Sequence, residues 1–167
     1  HVIALIRRMN RLELVGETMR RVLNDLAQQE AEWLKRHVAP EWIERYGRRF
    51  DLYRLPKGEK EQCELAEMIG LDGLQLLQAI YASGTPASVS QLPSIEMLRR
   101  IWLQQFYWVD DETRVHWRTK KESGVPPAHQ MIASPDEADA RYAGTGSTYW
   151  TGYKGHLPAT CQPGQPH

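Results

Sequence analysis

Val2, Leu5, Met9, Leu12, Val15-Gly16, Met19, Val22-Leu23 and Leu26 follow one another at three- and four-residue steps, with arginines and carboxylates between them. That spacing gathers the apolar side chains along one stripe of a helix and the charges on the other side. A strand cannot use it, because a strand sends alternate residues to opposite faces. The pattern predicts a helix from residue 2 to about 36, roughly 50 Å long at about 1.5 Å per residue. Gly16 costs on the order of 1 kcal/mol in a helix interior and is where a bend is expected. A chain that opens this way is expected to be mainly helical.

Pro40 ends the pattern. Residues 40–47, PEWIERYG, predict a short helix with proline in its first turn and glycine just past its end. Residues 57–70 predict a helix with Cys63, Ala66 and Ile69 inward, stopped by Gly70. Asp72 is the expected N-cap of a further helix through Leu74, Leu77, Ile80 and Tyr81 to Ser83, where Gly84 and Pro86 stop it. Residues 82–92 read as a polar loop. Pro93 then opens a helix with Ile95, Leu98, Trp102, Gln105 and Phe106 along one face. At helical spacing Trp102, Phe106, Tyr107 and Trp108 are expected in the core rather than as a platform for bases.

The character changes after residue 118. RVHWR, residues 114–118, predicts a short strand, and residues 119–131 form a basic linker containing glycine and proline. Further on, Tyr149, Thr151, Tyr153 and Leu157 alternate with Trp150, Lys154 and His156, as a strand requires. The expected layout is a helical region over 1–118, the linker, and a β and loop piece over 132–167. Asp110-Asp111-Glu112 lacks the spacing of a calcium loop and reads as a solvated turn.

Charge and cysteine usage narrow the function classes. The 21 basic residues are balanced by 21 acidic ones, which argues against a dedicated nucleic-acid module that binds tightly by itself. Cys63 and Cys161 are the only cysteines, so neither a disulfide framework nor a zinc site is indicated, and a reducing cytoplasm fits. No apolar run approaches the roughly 20 residues of a membrane span, and no signal peptide is visible. Neither a nucleophile elbow nor a glycine-rich phosphate loop is present. The chain starts at His1 and stops just past a strand, so it reads as a piece of a longer protein.

Two groups of side chains are candidates for a DNA contact. Arg45, Arg48, Arg49 and Arg54, with Tyr46, Phe50 and Tyr53, form the most basic and aromatic stretch. Its arginines would sit on phosphates and its rings on a splayed base. The plainer reading is a solvated arginine face whose rings seal the join between two helices. Lys154 and His156 are the second group, with Arg141 helping to hold the acidic turn 134–139; the plainer reading is an ion pair and an ordinary imidazole hydrogen bond.

NRLELVGETMRRVLNDL, PEWIERYGRRFDLYRLPKGEKE, IGLDG, LPSIEMLRRIWLQQFY, VHWR followed by VPPA, SPDEADARY and WTGYKGHLPATC occur in that order along nearly the whole chain. In these blocks the chain resembles bacterial insertion-sequence transposases of the DDE class, which have an RNase H-like core. The resemblance implies a helical insertion between the first two core strands, followed by a small β element at the C-terminal end. It implies DNA strand transfer by two divalent ions, Mg²⁺, held by two aspartates and a glutamate. The first aspartate is expected just before His1, and the other two acids well beyond His167. No catalytic or metal-binding residue is therefore expected here, and Asp136, Glu137 and Asp139 belong to a different motif. The implied partner is double-stranded DNA at transposon ends, in the bacterial cytoplasm, with no membrane and with homo-oligomerisation left open.

The chain departs from the family pattern at several positions. Tyrosine and aspartate are expected at Asp136 and Glu137, and a basic pair near Thr145-Gly146. A larger apolar residue is expected at Gly155, and Thr-Glu at Pro158-Ala159. Gly155 and Pro158 both weaken a central strand. The expectation is a fragment inactive by itself. The alternative is a helical DNA- or protein-binding module without enzymatic activity.

Overall fold

The computed structural model describes residues 10–108, 114–119 and 131–135, and residues 141–145 and 148–152 as strands. Helix α1, Arg11–Gln29, opens on a capping box. Asn10 Oδ1 accepts the Glu13 amide at 2.7 Å, and Glu13 Oε2 accepts the Asn10 amide at 3.0 Å. Residues 1–9 of the predicted helix lie outside the described residues.

The long helix does break, but at Glu30 rather than Gly16. Glu30 leaves helical backbone at φ −139° and ψ 46°, and α2, Ala31–His37, follows. Gly16 instead lets Phe50 lie against the helix, since a Cβ there would stand 2.3 Å from Phe50 Cδ1. Every residue from 12 to 19 is buried, so α1 is the central helix and not a surface one.

Helix α3, Glu41–Tyr46, lies between Pro40 and Gly47 as predicted. A 3₁₀ turn, Leu52–Arg54, leads to α4, Glu59–Ile80. The sequence predicts a stop at Gly70 and a new start at Asp72, but α4 runs through both. The two glycines serve packing. A Cβ on Gly73 would stand 2.2 Å from Trp102 Cε2, and one on Gly70 2.5 Å from Phe106 Cε1. Trp102 Nε1 donates to the Gly70 carbonyl at 2.9 Å, so ring and helix backbone meet directly.

Within the predicted polar loop, residues 87–90 form a short helix, α5, Ala87–Ser90, anchored by the fully buried Val89. Helix α6, Pro93–Gln105, has proline in its first turn and buries Ile95, Leu98, Ile101 and Trp102. These join Val15, Met19, Val22 and Leu26 of α1 and Ile69, Leu76 and Ile80 of α4 in one core. Burying a side chain of this size stabilises by about 1.5–3 kcal/mol, so the three-helix contact dominates the fold.

The chain leaves α6 directly into strand β1, Phe106–Trp108, where continued helix was expected. β1 pairs antiparallel with β2, Val115–Trp117, the predicted strand, with Phe106 opposite Trp117 and Trp108 opposite Val115. Phe106 and Val115 pack against Gly70 of α4. Ile132 is buried, and its amide donates to Gln104 Oε1 at 3.0 Å, which ties residues 131–135 to α6.

A second antiparallel pair joins β3, Arg141–Thr145, to β4, Thr148–Gly152. The predicted strand around residue 150 is therefore present, with the preceding 141–145 segment as its partner. Its expected continuation through 157, the 120–130 part of the linker and the acidic turn at 110–112 lie outside the described residues. The chain is mainly helical with small antiparallel β elements toward its C-terminal end. No described helix is long and apolar enough to cross a membrane.

Candidate nucleic-acid interface

The connector from α3 to α4 is fixed by its inward residues. Tyr46 and Leu55 are buried, and the Phe50 ring lies 5.9 Å from that of Tyr46 and against Gly16. The Phe50 amide donates to Glu17 Oε1 at 2.7 Å, while Glu17 Oε2 accepts from Arg20 at 3.0 Å. Both oxygens of this buried carboxylate are thus satisfied, and α1 holds the connector by its backbone. The outward residues are Arg48, Arg49, Leu52, Tyr53 and Arg54, all exposed. Among the described residues, Arg48, Arg49 and Arg54 make no ion pair.

Arg45 has a different environment. Its Nη1 donates to Asp72 Oδ2, and the Tyr46 hydroxyl donates to the same oxygen at 2.6 Å. Only 26% of the Arg45 side chain is exposed. Burial, then the charge and acceptor of Asp72, push the Tyr46 phenol far above its ordinary pKa. Burial opposes the charge on Arg45, but Asp72 outweighs it and raises the guanidinium pKa. The triad fastens α3 to α4. Arg45 therefore sits at the base of the connector and positions it, while Arg48 and Arg49 share the outer surface.

Asp72 is the residue of this candidate site that the sequence misplaces. The signal was its phase. It falls three residues after Ile69 and four before Leu76, on the stripe that faces the core. A carboxylate there needs donors from a neighbouring element.

A second polar cluster closes the other end of α1. Arg11 donates to Gln105 Oε1 at 2.6 Å and to the Arg118 carbonyl at 2.8 Å, and its guanidinium lies 4.1 Å from the Trp117 ring centroid. Burial lowers its pKa to about 10, still well above neutrality. Arg118 donates to the Phe106 carbonyl at 2.9 Å. These contacts join α1, α6 and the β1–β2 pair, and they account for both arginines structurally.

Arg141 begins β3, opposite Gly152 of β4, so the pairing brings its backbone alongside the strand that leads toward Lys154. Lys154 and His156, together with Asp136, Glu137 and Asp139, lie outside the described residues. Among the described residues no three His, Cys, Asp or Glu side chains are grouped to hold a metal ion. The buried carboxylates already serve other donors: Glu13 the helix cap, Glu17 Phe50 and Arg20, Asp72 Arg45 and Tyr46. These residues do not fit a two-ion Mg²⁺ site, and no step through a metal is assigned to them. No family model, curated protein or solved structure matches the chain.

Proposed function

We propose that the chain is the helical segment, with the start of the returning sheet, of a DDE-class insertion-sequence transposase, and that its part is to hold DNA rather than cut it. The observation that carries this is the run of sequence blocks, in order, from NRLELVGETMRRVLNDL to WTGYKGHLPATC. The layout supports it. A helical body precedes the β3–β4 pair, to which SPDEADARY and WTGYKGHLPATC contribute Arg141-Tyr142 and Trp150-Thr151-Gly152. That order is the one expected of a helical insertion returning to an RNase H-like sheet.

Within this reading, Arg48 and Arg49 contact the DNA backbone and Arg45 positions them through Asp72. Arg141, Lys154 and His156 are the phosphate contacts expected nearer the catalytic acids. Those acids, and the Mg²⁺ they hold, belong to sequence outside this chain. The setting is the bacterial cytoplasm. The exposed arginines would equally serve a helical DNA-binding module with no enzymatic parent.

The flanking genomic sequence separates the two readings. An aspartate codon just upstream and two further acidic codons downstream are expected, and their absence would leave only the binding module. Protein extended to include those acids should nick and join transposon-end DNA with Mg²⁺ or Mn²⁺. The 167 residues alone should do neither, and cation-dependent nicking by them would end the transposase-fragment reading.

A further inference from the structure

We propose that the connector between α3 and α4 is a seat for DNA that carries an unpaired base, with Tyr53 as the stacking surface and Arg48, Arg49 and Arg54 on the flanking phosphates. This rests on the reading of the chain as a DNA-holding segment, and adds the form of DNA it takes. The rings of the connector divide into two kinds. Tyr46 is buried on Asp72, and Phe50 is packed on Gly16 and held by Glu17 through its amide. Tyr53 is 83% exposed and, among the described residues, stacks on no other ring.

The backbone that carries Tyr53 is nonetheless held in place. Tyr53 lies on a 3₁₀ turn closed by the Arg54 amide to the Asp51 carbonyl at 2.9 Å, between the anchors at Phe50 and Leu55. Leu52 beside it is 54% exposed, so the turn shows two large apolar side chains to solvent. Arg48, Arg49 and Arg54, which make no ion pair among the described residues, share the connector with these side chains. Cations around an exposed ring are the combination that takes a nucleic-acid strand, with charge tracking the backbone and the ring meeting a base.

The geometry of DNA selects the form. In a duplex the base faces cover one another, and a protein ring reaches only their edges. A base at a single-stranded extension or a splayed end has a free face. Stacking on it needs no particular sequence. Glu41 and Glu44 are exposed on α3 and Asp51 is half-buried on the connector. The two glutamates disfavour phosphate over α3, so the strand is assigned to the Arg48, Arg49 and Arg54 side.

Fluorescence anisotropy of the whole chain with two probes tests this: a blunt duplex, and the same duplex with a single-stranded extension bearing 2-aminopurine. The extended probe should bind about 10-fold tighter and its 2-aminopurine emission should be quenched on binding. Tyr53→Ala should remove that margin and the quenching, and Tyr53→Trp should retain both. Arg48→Ala with Arg49→Ala should weaken both probes and reduce the slope of log K against log salt by roughly 1.4 to 1.8. Equal binding of the two probes with a steep salt dependence would overturn the Tyr53 assignment and leave the DNA-holding reading standing. Binding of neither probe, by a chain whose circular dichroism shows it folded, would end both.

Discussion

Asp72 Oδ2 takes two donors at once, the Tyr46 hydroxyl and an Arg45 nitrogen, in a place where the residue is 6% exposed. Replacing it with alanine strands a buried hydroxyl and a largely covered cation together. Each such loss costs more than the bond contributed, because the remaining partner stays out of water. Asp72→Ala should therefore lower the unfolding free energy by roughly 3 kcal/mol, measured by urea denaturation. Asp72→Asn keeps an acceptor for the hydroxyl and should recover about half of that. Equal stability of Asp72→Ala and the parent would show that the triad does not hold α3 to α4. Cys63 gives a second residue-scale expectation. Burial first, then Glu67, Glu64 and Glu59, push its thiol pKa upward. In a Cys161→Ser background its alkylation by iodoacetamide should be slower than that of a free peptide thiol at about pH 8. Glu67→Gln should speed it, whereas a rate equal to the free thiol's would contradict the carboxylates' effect.

Gly73 shows how an element can depend on the absence of a side chain. Alanine favours a helix over glycine by about 1 kcal/mol, so helix propensity alone makes Gly73→Ala stabilising. The Trp102 ring decides otherwise. A Cβ at Gly73 would stand 2.2 Å from Cε2 and from Cζ2, where the ring has no flexible end to move aside. Gly73→Ala should destabilise by about 1–3 kcal/mol in a urea melt, while Gln78→Ala, exposed on the same helix, should stay within about 0.5 kcal/mol. A stabilised Gly73→Ala would show that α6 does not lie where Trp102 places it. Glycine's two uses are also why part of the fold was illegible in the sequence. The limits of α3 were readable because Pro40 and Gly47 act on their own backbone. The roles of Gly16, Gly70 and Gly73 were not, because each is set by a ring far along the chain. Phe106 fits the helical face of α6 by spacing, yet the chain turns to strand there to pair with Val115–Trp117. The candidate surface divides in the same way. The charge at Arg48 and Arg49 was legible, while the capture of Arg45 depends on a carboxylate 27 residues away.

Polar fasteners between distant segments make the helices one unit. Arg11 reaches Gln105 and Arg118, Glu17 reaches Phe50, and Tyr46 reaches Asp72. All the connected elements pack around α1 or α4. If that unit unfolds cooperatively, one buried titrating group should leave its mark on the stability of the whole. Tyr46 is the group to follow. Its phenol pKa is raised in the folded state, so folded protein keeps the proton after the unfolded chain has released it. The sign follows from this. The contribution is fully present below about pH 10 and is lost as pH rises beyond it, because the unfolded state then binds fewer protons. Tyr46→Phe lacks both the hydrogen bond and the titration. Below about pH 10 it should be less stable than the parent by about 1 kcal/mol, the net value of one hydrogen bond. Above that pH the parent loses up to about 1.4 kcal/mol per pH unit that the variant does not. Arg11, whose pKa is lowered to about 10, acts in the opposite direction over the same range, but it is present in both proteins and cancels in the difference. The two stability curves should therefore cross at roughly pH 11, with Tyr46→Phe the more stable beyond it. Urea unfolding followed at steps of pH measures the difference directly. A gap that stays constant from about pH 8 through the tyrosine range would mean that the Tyr46 hydroxyl is not enclosed with Asp72 in the folded chain.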